Sequence, residues 1–416
     1  MLETISNAYG VCSAALSKIK EISEPVRKFI LHIVPLWLSM NCRMTFLNMQ
    51  RWGGRSEKSY RSMFSKAFDW FSFNLEVVKS CFKGKVIAVF DPFYLPKSGK
   101  KTYGVARFYS GTAGKALKGL EASCLCFVGV NDHTALHALV EQSPTPESLH
   151  AGGKTLVDHY VGIIVEHIKE ILSLTKYLVV DGYFLKQDFM LPLVGQGLHL
   201  ITKARSDANL RYLYKGKQKP RGRKKRYDGK IEVSRVDKRR VPLVHCDKEK
   251  DIYAGVVYSV VLKREVLVAF IYYKDKKTGK YKKNNKGNVK PEILLSTDTE
   301  IKPLEMCRYY RLRFQVEFLI RDAKSYCGLE HCQARSKEKL HTHFNMALTA
   351  VSIAKAAYYL SLPKKQREGF SMMDIKMRYM NELIANRIFS NLEIDLSCQK
   401  NKQVYEDCLY FGRIRA

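Results

Sequence analysis

The sequence predicts an α/β protein in which a mixed sheet flanked by helices is interrupted by a β-rich insertion and bracketed by helical N-terminal and C-terminal regions. Three observations carry that expectation. Between Lys85 and Thr202, apolar runs of strand length alternate with helix-periodic stretches. From about Arg205 to Pro291, alternating strands are set among lysine-rich loops. Residues 1–80 and the last fifty or so read as mostly helical.

Size and charge bound the function. A chain of 416 residues with 46% hydrophobic content can bury two or three domains' worth of core. With 71 Lys and Arg against 40 Asp and Glu, the formal net charge is +31. That excess calls for a polyanionic partner, and nucleic acid fits better than a membrane surface. The most apolar stretch, Phe29 to Met40, is too short to span a bilayer and contains Pro35, so a core helix is expected. Glu3 stands where a secretory signal needs a basic segment, so a cytoplasmic protein is expected. The eleven cysteines have no regular spacing, which fits reduced thiols.

Taken in order, Met44–Arg51 and Ser56–Phe73 form two candidate helices around Gly53-Gly54, with Ser56 as N-cap. Tyr60, Met63, Phe64, Ala67, Phe68 and Phe71 make the apolar face of the second, leaving Lys58, Arg61 and Lys66 outside. This is either a DNA-reading helix-turn-helix or a helical cap on the core. All three tryptophans, Trp37, Trp52 and Trp70, lie in this region and are expected in its core.

Lys85–Phe90 reads as a buried strand leading to Asp91. The turn-rich segment Pro96–Gly104 brings Lys97, Lys100 and Lys101, as phosphate contacts or as a solvated hairpin turn. Apolar runs follow at Tyr103–Tyr109 and Leu120–Val130, then a helix near Lys154–Leu172, a strand Tyr177–Val180 ending at Asp181, a helix Gln187–Val194 and a strand Leu198–Thr202. Three strands, helix, strand, helix, strand is the order of an RNase H-like fold. Gly153-Lys154-Thr155 looks like the tail of a P-loop, but Ser148 replaces the first Gly and no strand precedes it, so no nucleotide cofactor is expected. Cys327, His331, Cys332, His341 and His343 fit no common zinc spacing.

In the β-rich segment, Lys215–Arg226 packs eight cations into twelve residues, among them Arg221, Arg223, Lys224 and Lys225. Lys274–Lys290 is a second lysine-rich loop, and the strands Ile252–Val261 and Glu265–Tyr273 would project both. Charges this dense repel one another unless an anion neutralises them. Ile293–Leu295 reads as a last strand and His341–Leu360 as a buried helix closed by Pro363. The final helices either mediate dimerisation or cap the core.

Tyr309 to Lys324 carries the chemistry. Leu312, Val316, Leu319 and Ala323 form an apolar stripe with no intervening Gly or Pro. Off the stripe, Tyr310, Arg313, Glu317 and Lys324 fall within roughly 60° of one another at 100° per residue. Carboxylates at neighbouring strand ends, joined by a third from a helix, form an oxygen cage suited to Mg²⁺. Asp91, Asp181 and Glu317 are the candidates.

Tyr310-x2-Arg313-x3-Glu317-x6-Lys324 resembles, residue for residue, the Tyr-Arg-Glu-Lys signature of bacterial insertion-sequence transposases of the IS-four family, within the wider DDE group. Asp91 and Asp181 look like that family's first two acids, and the resemblance covers about residues 85–350. It implies an RNase H-like core in two parts, 81–204 and 296–360, around a basic β-rich insertion at 205–295; outside the resemblance, composition and periodicity give a helical region at 1–80, expected to bind DNA, and another at 361–416. It also implies cut-and-paste DNA transposition: Asp91, Asp181 and Glu317 hold two Mg²⁺ ions, with Mn²⁺ as substitute, while Tyr310, Arg313 and Lys324 hold phosphates beside the scissile bond. Double-stranded DNA is the expected partner, with a homodimer in the DNA complex. In some relatives the insertion supplies a Trp that receives a flipped base; here no Trp follows Trp70, leaving Tyr253, Tyr258, Tyr272 or Tyr273 for such stacking. The alternatives are an RNase H-like nuclease or resolvase without strand transfer and a domesticated, non-catalytic DNA-binding protein.

Overall fold

The computed structural model describes residues 5–285, 287–363, 365, 367 and 369–412. They fall into two compact units. One holds the chain up to Gly84, Pro92–Pro146 and Gln315 onward, and the other Lys85–Asp91 and Glu147–Phe314.

The first unit begins with α1 (Ile5–Leu16), α2 (Glu24–Ser39), α3 (Phe46–Gly53), α4 (Glu57–Met63) and α5 (Trp70–Cys81). The expected core helix is α2, with Phe29, Ile33 and Trp37 buried around Pro35. Gly54, at φ 74°, closes α3 in the left-handed conformation that Gly adopts without a Cβ penalty, and Ser56 caps α4. The helix expected over Ser56–Phe73 is two helices. Asp69 starts α5 by accepting from Ser72 N–H at 2.9 Å, and Phe68 turns its ring onto Trp70 and Phe73. Ala67, assigned to the apolar face by periodicity, falls in this break and is exposed.

Strand β1 (Val86–Pro96) is longer than the run that predicted it. It does not end at Asp91; burial drops there, from buried Val86–Phe90 to half-buried Asp91–Tyr94. β2 (Ala106–Ser110), β3 (Lys115–Gly129) and β4 (Thr134–Gln142) complete an antiparallel set, with β2 and β4 both on β3. β4 was not expected, because His137, Glu141 and Gln142 interrupt its apolar pattern.

The second unit continues with α6 (Pro146–Ala151), α7 (Leu156–Glu166), α8 (Ile168–Leu174), β5 (Tyr177–Val180), α9 (Gln187–Gly195) and β6 (His199–Ala204). The helix expected near Lys154–Leu172 breaks at His167. Thr155 and Asp158 form a capping box at the start of α7, which gives Thr155 a structural role. Then come β7 (Leu210–Leu213), β8 (Tyr227–Lys230), β9 (Leu243–Cys246), β10 (Lys250–Ser259), β11 (Arg264–Tyr273), β12 (Glu292–Ser296) and α10 (Pro303–Leu312).

Within this unit the sheet order is β1-β5-β6-β12-β11-β10-β7-β8, with β9 also on β10. β1, β5 and β6 run parallel and the rest pair antiparallel, so the sheet is mixed. Such a sheet with helices is compatible with an RNase H-like core. The β10–β11 hairpin, expected within an insertion, extends that sheet through β12, and α10 packs against β5, β6, β11 and β12.

The chain ends with α11 (Phe314–Tyr326), α12 (Lys337–Ser361), α13 (Met372–Asn391) and α14 (Gln399–Leu409). In the first unit, α12 lies along the free edge of β4 and satisfies its backbone. Asn345 accepts from Val140 N–H at 3.0 Å and donates to Val140 O at 2.9 Å, while Ser352 accepts from His137 N–H at 2.8 Å. Side chains thus do there what a neighbouring strand would do. No helix among the described residues is long and apolar enough to cross a membrane.

Candidate active site

The second unit brings Asp91 and Asp181 together by register. Phe90 lies opposite Val180 in the parallel β1–β5 pairing, so the next residue on each strand is an aspartate. Neighbouring strands are about 4.8 Å apart, which sets the two side chains next to each other at one end of the sheet. The Asp181 carboxylate also accepts from Tyr183 N–H at 3.3 Å, and its carbonyl accepts from Thr202 Oγ1 at 2.9 Å. Gly182 is required at this turn, since a Cβ would meet Lys203 O at 2.8 Å.

Arg313 stands between the acids. Its Nη1 lies 3.5 Å from Asp91 Oδ2 and its Nη2 4.0 Å from Asp181 Oδ1, with the Arg313 side chain only 10% exposed. The helix expected over Tyr309–Lys324 is interrupted at this residue. Arg313 keeps helical angles, but its N–H bonds to Tyr310 O at 3.1 Å, a tighter turn than α-helix, separating α10 from α11. Tyr310 is buried beside it. Burial raises its hydroxyl pKa to about 12, with Arg313 pulling the other way, so it remains a proton donor at neutral pH.

The other signature residues belong to the first unit. The stripe residues Val316, Leu319 and Ala323 are buried as expected, and Glu317 is exposed on α11. Lys324 donates to Tyr94 O at 3.0 Å and pairs with Glu330 at 3.0 Å. Lys97 is turned onto the carbonyl of Cys332, whereas Lys100 and Lys101 are exposed. In the second unit, Arg221, Arg223 and Lys224 are exposed on the β7–β8 connection. Lys225 pairs with Asp228 at 2.9 Å and lies 4.5 Å over the Tyr214 ring. Of the tyrosines considered for base stacking, Tyr253, Tyr258 and Tyr272 are buried in the sheet; Tyr273 is 37% exposed.

Two residues escaped the sequence reading. Glu292 adds a carboxylate to the second unit, already engaged by Lys203 at 2.9 Å and by the Tyr273 hydroxyl at 2.8 Å. Tyr183, two residues after Asp181, is half exposed with the Lys186 amine 3.4 Å from its ring centre. An exposed aromatic following a strand-end acid is the only signal the sequence offered for it.

Among the described residues no group of three or more His, Cys, Asp or Glu is placed to hold a metal ion. The donor chemistry of Asp91 and Asp181 nonetheless suits a hard cation. Two carboxylates converge on one positive charge, and Mg²⁺ is commonly bound by one or two carboxylates with water and substrate phosphate completing its shell.

A mixed α/β sheet with paired acids around a guanidinium, in a chain of net charge +31, defines a protein suited to phosphate esters of nucleic acid. The transposase DDE domain family matches residues 128–353, more than half of the chain, and the chain belongs to that family. The match spans Asp181 and the whole Tyr310–Lys324 segment and begins downstream of Asp91. No curated protein matches the chain. The protein is thus a transposase with DNA as its substrate, in a family that generally uses divalent metal ions.

Proposed function

We propose that the chain is a cut-and-paste transposase of the IS-four type, cleaving DNA at transposon ends and joining the freed ends to target DNA. The observation that carries this reading is the convergence of Asp91 and Asp181 on Arg313, in a chain whose residues 128–353 match the transposase DDE domain family. In this reading Asp91, Asp181 and Glu317 hold two Mg²⁺ ions, which when bound supply water activation and leaving-group stabilisation at phosphorus.

The chain's own groups do the rest. Arg313 offers a planar set of donors that matches phosphate, Tyr310 donates a hydroxyl proton, and Lys324 adds a point charge. Lys97, Lys100, Lys101, Arg221, Arg223 and Lys224 grip the DNA backbone away from the reacting bond, while Lys225, paired with Asp228, braces the loop that carries three of them. In strand transfer a 3′-hydroxyl attacks a target phosphodiester, so one P–O bond replaces another and no nucleotide cofactor is consumed. Cutting two ends together implies a homodimer on DNA.

The test is a cleavage and strand-transfer assay on end-containing DNA. Glu317→Gln, or chelation of divalent metal, abolishes cutting while end binding survives; normal cutting by Glu317→Gln overturns the reading. Cleavage without joining would assign a nuclease instead.

A further inference from the structure

Arg313 already neutralises the carboxylates that the proposed function assigns to metal. Its Nη1 lies 3.5 Å from Asp91 and its Nη2 4.0 Å from Asp181, both longer than the roughly 2.8 Å of a tight charge-assisted bond. A phosphate can offer a guanidinium two parallel bonds at once, the geometry that holds it most firmly. A second resting place adjoins the first, since the exposed Phe314 ring lies 5.4 Å from the guanidinium carbon.

We propose that Arg313 is a resident counter-ion that must release Asp91 and Asp181 before a divalent cation binds them, and that a DNA phosphate draws it off. Metal binding is then coupled to DNA binding through one side chain. The inference rests on the reading of Asp91 and Asp181 as metal ligands. Without DNA, guanidinium and divalent cation compete for the same oxygens. With DNA, Arg313 turns to the phosphate and the acids are left negative and paired, which favours a divalent ion. By linkage the metal strengthens phosphate binding by the same factor that phosphate strengthens metal binding.

The experiment measures Mn²⁺ binding to the full chain by the loss of the free-ion paramagnetic resonance signal, with and without a short duplex, subtracting binding to the duplex alone. The wild-type chain should bind Mn²⁺ about tenfold more tightly with duplex present, a coupling of ordinary size. Arg313→Met should bind Mn²⁺ tightly without DNA and gain little from duplex. Lys203→Met removes one positive charge from the same unit without freeing Asp91 or Asp181, and should leave the affinity within about twofold, since surface charges act weakly.

If Asp91→Asn and Asp181→Asn do not weaken Mn²⁺ binding, the metal reading itself fails. If they do, and Arg313→Met still shows no gain in DNA-free affinity over Lys203→Met, only the counter-ion inference is overturned. Should Arg313→Met not fold, the wild-type comparison decides, because an affinity indifferent to duplex overturns the coupling.

Discussion

Phe90 and Val180 face each other across two parallel strands, and that single pairing makes Asp91 and Asp181 neighbours. A one-residue slip would turn one acid to the other face of the sheet, so the apolar packing of Val86–Phe90 and Leu178–Val180 holds the site in register. It also commits Arg313 to a mostly buried position that needs its anions.

The stability consequence is unequal for the two acids. Asp91 is closer to Arg313 and its side chain 19% exposed; Asp181 is at 4.0 Å and 47% exposed. Asp91→Ala leaves a largely buried guanidinium without its nearer carboxylate, costing about 1–3 kcal/mol. Asp181→Ala should cost under about 1 kcal/mol, as for an exposed pair. Hydrogen exchange at the β1 and β5 amides reads both, and equal effects would show that the nearer, more buried Asp91 offsets the Arg313 charge no better than Asp181 does.

Acid should weaken the first unit before most carboxylates titrate. Burial lowers the pKa of His137 to about 3 and that of His343 to about 4, from an ordinary 6.5. Both are neutral when folded, while the unfolded chain takes up protons below about 6.5, so stability is complete above that pH and falls toward pH 4. The slope is about 1.4 kcal/mol per pH unit for each imidazole. Trp37, Trp52 and Trp70 all belong to this unit, so urea unfolding followed by tryptophan fluorescence reports on it alone. Replacing both histidines with Gln should flatten the fall between pH 6.5 and 5.

Much of the site could be read from residue types, because its parts are local. The β-branched runs that open β1 and make up β5 each lead straight into an aspartate, and the Tyr310–Lys324 spacing is helical whichever way the helix packs. The break at Arg313 left no trace, since neither Gly nor Pro marks it and the residue keeps helical angles. Register and the Arg313 bridge were equally hidden, as both depend on partners far away in sequence. β4 was missed because its edge is satisfied by Asn345 and Ser352, so its own polar residues broke the pattern that strands are recognised by.

That edge gives a stability test. Asn345→Ala strips both partners from the Val140 backbone, which lies at a buried position, and should cost about 1–3 kcal/mol. Asn345→Leu refills the space without restoring the bonds, so it should destabilise to a similar degree. A Leu variant as stable as the parent in urea would show that packing, not hydrogen bonding, secures β4.

The β7–β8 connection separates charges that bind from a charge that builds. Gln218 bonds the backbone of Lys225 twice, at 2.7 and 2.9 Å, and Lys225 is held by Asp228 and Tyr214. Arg221, Arg223 and Lys224 are exposed on the loop that these contacts close. Each cation that neutralises a DNA phosphate releases counterions and adds about 0.9 to the slope of log affinity against log salt. Arg221→Gln, Arg223→Gln and Lys224→Gln should therefore each lower that slope by close to one and weaken binding to all duplexes alike. Lys225→Gln should leave the slope nearly unchanged and instead raise hydrogen exchange in the loop. If all four substitutions change the slope equally, Lys225 touches phosphate like the others, and the division between gripping and bracing residues is wrong.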